Sequence, residues 1–225
     1  MKHHYNWLIQ SLTLAAWSCA IVGYFGPWIG HPSAALAWNA YDLFDLLQRL
    51  PHIEHGILVV NLQTLHFPLI GLGILAPLML PYPRGREAST LQRLIQAPTV
   101  HFWRQSIFIC LGATLSFITL PSYPEIMNAW HIPGWQRLAF WWGIIGIIST
   151  VIAGYLAPHL GRYRPWANLA CIALTSIPAS VTLQRLLPAL TELHATPINP
   201  GWGFWLYAAS VFALALYSSI QGLKK

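Results

Sequence analysis

The chain has 225 residues, of which 56% are hydrophobic and only 8% charged, with a mean hydropathy of +0.50 and a formal charge of +6. No soluble domain of ordinary make-up has this composition, and six long apolar runs leave no room for a separate globular domain, so residues 1–225 read as one integral membrane domain. The basic excess is not a nucleic-acid footprint, because the basic residues gather in alternate loops of a six-span chain.

The first apolar run, Trp7–Ile29, has the length of about 20 residues that a helix needs to cross the hydrocarbon core. It is continuous rather than alternating, which favours a helix over a barrel strand, and a helix satisfies its own backbone donors and acceptors in lipid. The run continues into Gly26-Pro27-Trp28 with no small-residue cleavage site, so it reads as an uncleaved signal anchor. Next comes Ser33–Leu50, where Trp38, Tyr41, Phe44, Leu47 and Leu50 recur every third residue, with Asn39, Asp42, Asp45 and Arg49 on the other side. This pattern predicts an amphipathic helix lying on the outer surface and ended by Pro51. Such a helix is either a lid over the outer span ends or a docking surface that offers Trp38, Tyr41, Asp42 and Asp45 to a partner.

The second run, Ile57–Leu80, is the most polar, with Asn61, Gln63, Thr64 and His66 just before Pro68. An imidazole at membrane depth is a functional candidate. His66 has the chemistry to ligate a haem iron or a chlorophyll magnesium, to bond a quinone carbonyl, or to hydrogen-bond a neighbouring helix. Runs three and four, Thr99–Leu120 and Leu138–Leu160, place His101 and His159 at their inner ends. Two imidazoles at similar depth suit the axial positions of a b-type haem, with Arg104, Arg162 or Arg164 toward its propionates; interface histidines also bond headgroups. Runs five and six are Trp166–Leu187 and Trp202–Leu223. Pro68 and Pro178 fall inside spans, where prolines kink helices both in transporter sites and in ordinary membrane bundles.

Small residues recur about every fourth position: Cys19 and Gly23 on span one, Cys110 on span three, Gly146, Thr150 and Gly154 on span four, and Cys171 on span five. Such stripes let backbones approach closely, so these seven are the expected packing positions. The three cysteines lack metal-ligand spacing, and no metal site is expected. Pro133-Gly-Trp135 and Pro200-Gly-Trp202 precede spans four and six, and the chain reads as an all-α fold of three helical hairpins. Lys2, Arg84, Arg86, Arg93, Arg162, Arg164, Lys224 and Lys225 fall on one side and most acids on the other, which places both termini in the cytoplasm.

The segment from Gly26-Pro-Trp-Ile-Gly-His-Pro-Ser through Trp38-Asn-Ala-Tyr-Asp-Leu-Phe-Asp45, with Arg49 and Pro51, resembles outer-loop segments of uncharacterised multi-pass membrane proteins of green non-sulfur bacteria. That resemblance implies a place in a membrane complex of such bacteria, photosynthetic ones included, and assigns no catalytic residue. The sequence contains no phosphate-binding GxxxxGK[ST] loop, no HExxH and no GxSxG, and its apolar runs carry no acidic residue. The expected function is therefore a non-enzymatic subunit of an energy-transducing or photosynthetic complex, or of an ABC-type transporter whose ATPase is another chain. Its expected partners are the lipid bilayer and other membrane subunits, without nucleic acid or nucleotide. The alternatives are a binder of haem, chlorophyll or quinone through His66, His101 and His159, and a stand-alone permease beside Pro68 and Pro178.

Overall fold

The computed structural model describes residues 2–30, 37–48, 61–79, 98–121 and 135–223. In chain order these form α1 (Lys2–Phe25), β1 (Ile29–Gly30), α2 (Ala40–Gln48), a 3-10 turn (Leu62–Leu65), α3 (Phe67–Leu78), α4 (Pro98–Ile118), α5 (Trp135–Leu156), a second 3-10 turn (Gly161–Tyr163), α6 (Arg164–His194), β2 (Asn199–Pro200) and α7 (Trp202–Leu223). Four stretches are long and apolar enough to cross a membrane: Leu8–Phe25, Arg137–Leu156, Gly161–His194 and Trp202–Leu223. They mark the chain as a membrane protein. Phe67–Leu78 and Trp103–Ile118 are shorter apolar helices.

Two helices differ from the expected spans for local reasons. In run two, residues 57–60 lie outside the described residues, and regular helix starts only at Phe67. Pro68 occupies the first turn of α3, where its missing N–H costs nothing and its fixed φ suits a helix start. It begins a helix instead of kinking one. The twelve residues of α3 rise about 18 Å, short of the roughly 30 Å of hydrocarbon. α6 runs through both Pro178 and Pro188 and reaches His194, beyond the expected end at Leu187. Leu183 and Leu186 before Pro188 and Leu190 after it are all buried, so packing carries the helix on. It stops where Ala195 turns left-handed (φ 51°).

α1 packs chiefly on α7, so the first and last helices are partners; its contact with α3 is lighter. α3, α4 and α5 pack on one another in a three-helix group, and α6 lies against both α3 and α7. At one end, β1 and β2 pair antiparallel (Ile29 with Pro200, Gly30 with Asn199), and Ile29 also bridges Trp38. The largest buried side chains gather around this end: Tyr24, Trp28, Leu43, Leu47, Leu65, Leu186 and Tyr207. At the other end, the Arg164 guanidinium donates to Leu78 O, satisfying a carbonyl that the end of α3 would leave open.

Glycines set the closest crossings. A Cβ on Gly23 would lie 2.8 Å from Tyr207 Cα and 2.9 Å from Gly203 O. A Cβ on Gly73 would lie 2.6 Å from Gly112 O, and Gly73 O in turn lies against Gly112. Pro77, four residues on, has no N–H to occupy that Gly73 carbonyl. Ser116, fully buried beside Gly73 and Gly146, keeps an Oγ without a partner among the described residues; only a small side chain fits there. Replacing Gly73 by Leu is expected to destabilise by about 1–3 kcal/mol or more through overpacking. Gly222→Ala, whose Cβ would stand an ordinary 3.7 Å from Pro165, is expected to be nearly neutral. Thermal melts in detergent check both; equal melting of Gly73→Leu and the unsubstituted protein would refute the close crossing.

Candidate functional site: a histidine closed in by aromatic rings

The polar turn before α3 is built by its own side chains. Asn61 Oδ1 accepts from Gln63 N (3.3 Å), and Asn61 O accepts from Thr64 N (3.2 Å) and from Thr64 Oγ1 (2.7 Å). Thr64 Oγ1 also bonds Thr182 Oγ1 of α6 at 2.6 Å. This fastening delivers His66 to the start of α3, where its carbonyl accepts from Leu69 N (3.1 Å) and Ile70 N (3.2 Å).

The imidazole is 3% exposed. Its Nδ1 and Tyr24 Oη of α1 share a long hydrogen bond of 3.4 Å, in a direction set by the tautomer. The Phe44 ring centroid lies 4.1 Å from the imidazole, tilted by 57°, and the Tyr41 ring lies 5.7 Å away. Both aromatics come from α2. That helix is capped by a reciprocal pair: Asn39 Oδ1 accepts from Asp42 N and Asn39 Nδ2 donates to Asp42 Oδ2, both at 2.8 Å. Ala40, Leu43, Phe44 and Leu47 face inward while Asp42 is exposed, so one face of α2 seals the site. Residues 33–36 and 49–50 of the expected outer helix, and the Asp45 side chain, lie outside the described residues. Of the other residues expected to face a partner, Tyr41 is half-buried against His66, and Trp38 is half-buried with its ring 5.8 Å from that of His194.

A tetrapyrrole metal needs a ring nitrogen facing an open slot as wide as the macrocycle. His66 has one nitrogen engaged by Tyr24 and rings of Tyr24, Tyr41 and Phe44 around it, so the residues present do not fit a haem or chlorophyll there. His159 is exposed in the turn after α5, beside the Tyr155 ring at 5.9 Å. His101 lies in α4, and its side chain is outside the described residues. Among the described residues, no group of three or more His, Cys, Asp or Glu side chains is placed to hold a metal ion. The chain matches no protein-family model, no curated protein and no solved structure.

The expected packing positions divide. Gly23 touches α7, a Cβ on Gly146 would lie 3.0 Å from Ile70 Cγ2, and Gly154 lies against Ile109 with its carbonyl accepting from Gln105 Nε2. Thr150 is fully buried, its Oγ1 donating to Gly146 O at 2.9 Å. Cys171 is half-buried with its Sγ 3.6 Å from Gly71 O, whereas Cys19 and Cys110 lie on exposed faces. Sequence reasoning missed Tyr24 and Tyr207. Tyr24 follows Trp17 and Ala20 at helical spacing, and a tyrosine on an inward helix face needs a hydroxyl partner. Tyr207 finds its own in Ser176 Oγ at 2.6 Å.

His66→Leu is expected to cost about 1–3 kcal/mol, because it leaves the buried Tyr24 hydroxyl without its partner, and to leave the ultraviolet–visible spectrum of the purified protein unchanged. Loss of a visible absorption band with the fold intact would make His66 a ligand instead.

Proposed function

We propose that the chain is a non-enzymatic, six-span subunit of a larger assembly in a bacterial inner membrane, with α3 and α4 belonging to the two spans that add to the four long helices. One observation carries this reading: the long helices turn apolar side chains outward, while polar side chains are spent on joining helices. Leu12 (62% exposed), Phe212 (70%) and Leu174 (72%) face out. Inside, Trp17 Nε1 donates to Leu72 O (2.9 Å), and Ser176 bonds Tyr207. Interhelical bonds of this kind hold bundles together where lipid gives no hydrophobic drive. Exposed Trp103, Trp166, Trp202 and Trp205 near helix ends suit the headgroup belts.

The charges support an orientation. Arg104 and Arg162 are exposed toward the end where Arg164 meets Leu78, and Asp42 and Glu192 toward the α2 end. Under the positive-inside rule the α2 end is outside and both termini are cytoplasmic. The sequence resemblance of the segment from Gly26 to Pro51 is the support for a place among the membrane complexes of green non-sulfur bacteria.

Two measurements test the reading. In a background free of other cysteines, Asp42→Cys should react with a membrane-impermeant maleimide added outside intact cells, and Arg162→Cys should not; the reverse pattern contradicts the orientation. A tagged chain taken from its native membrane in mild detergent should co-purify with other integral membrane chains in fixed stoichiometry. Recovery as a lone chain from that membrane contradicts the subunit reading.

A further inference from the structure

We propose that the bundle consists of two rigid bodies that rock against each other on α6, with Pro178 at the pivot. One body is α3, α4 and α5; the other is α1 and α7. The inference rests on the kinds of contact within and between these groups, and it stands apart from the functional reading.

Within each body the closest crossing is backbone on backbone. Gly73 meets Gly112, each with its carbonyl against the other's Cα. Gly23 and Gly26 meet Gly203, Gly203 N donates to Pro27 O (2.8 Å), Gly201 N donates to Trp28 O (2.8 Å), and β1 pairs with β2. Such contacts admit no sliding, because any shift brings main-chain atoms into collision.

Between the bodies the principal bridge is α6, and its hydrogen bonds are of a different kind. Thr182 bonds Thr64 on one side, and Ser176 bonds Tyr207 on the other. A helical hydroxyl keeps a second acceptor, the carbonyl four residues back on its own helix. Thr175, Ser180 and Thr191 of α6 already use theirs, at 2.8–2.9 Å. Ser176 and Thr182 have the same recourse to Ile172 O and Pro178 O, so breaking their cross-helix bonds leaves each α6 hydroxyl an acceptor. The direct links, Trp17 to Leu72 O and Tyr24 to His66, are likewise side-chain bonds on rotatable arms. Pro178 lies between Ser176 and Thr182 and lacks the N–H that Leu174 O would accept, so α6 is weakest where the two bodies share it.

The native cysteines allow a direct test on the full-length protein in lipid nanodiscs. Cys19 (α1) and Cys110 (α4) are exposed, one on each body. With Cys171→Ser, nitroxides at these two sites report the distance between bodies by pulsed electron–electron resonance. A second pair, Cys110 with Ile148→Cys in a Cys19→Ser, Cys171→Ser background, reports within the three-helix body. Expected is a narrow single distance for the inner pair and a broader or two-peaked distribution for the pair across bodies. Pro178→Ala should narrow the second and leave the first unchanged. Equal widths for the two pairs with the native proline present overturn the proposal, whether or not the alanine variant folds. A Pro178→Ala variant that folds, retains the inner-pair distance and leaves the cross-body width unchanged overturns the pivot.

Discussion

The crossing of α1 and α7 at Gly23 and Gly203 brings two backbones together with no side chain between them, and beside it Gly26 lies against Gly203 and the Trp202 ring. In a bilayer, lipid tails are as apolar as leucine, so helices are held by close packing and interhelical polar bonds. Here the helices that begin and end the chain supply that packing for each other. Trp28 locks the crossing: it is fully buried, its Nε1 donates to Gly23 O at 3.2 Å, and its ring meets Phe204 edge-on at 5.5 Å. The strand pair of Ile29–Gly30 with Asn199–Pro200 extends the same junction beyond the helices. Once α1 is so fixed, its other inward residues, Trp17 and Tyr24, are aimed at α3 and at His66. α2 then has an apolar floor to cover.

Much of this was legible in the sequence. Continuous apolar runs mark α1 and α4–α7, and the three-residue rhythm of Tyr41, Phe44 and Leu47 marks the inward face of α2, whereas its Asn39–Asp42 cap came only with the structure. Run two misled because a proline after a polar cluster resembles a mid-span kink; only the fold shows that Asn61 and Thr64 close a 3-10 turn ahead of it. The end of α6 misled because Pro188 marks a stop locally, whereas buried Leu186 and Leu190 outweigh it through packing. A period of small residues names a helix face without saying whether protein or lipid meets it. Gly146 and Cys19 both fit the period, yet one is buried at a crossing and the other is exposed. Partnership between Gly23 and Gly203 is a matter of tertiary closure and leaves no local trace.

His66 shows how a rare residue type raises a functional expectation that its surroundings then redirect. An imidazole in an apolar stretch demands partners, and this one has a tyrosine hydroxyl and a box of rings. Its carbonyl and backbone N–H anchor the turn into α3 while its ring receives α2, so one residue joins three elements. The same economy appears at the far end, where Arg164 at the start of α6 closes the last turn of α3.

The pairing of the chain's two ends is the claim on which the rest hangs, and strand register tests it most directly. With the three native cysteines replaced by serine, Gly30→Cys and Asn199→Cys stand opposite each other in the β1–β2 pair. Mild oxidation of the folded protein, then tryptic digestion without reductant, should yield a disulfide joining peptides 3–49 and 186–224. Recovery of only unlinked peptides from folded protein would contradict the account.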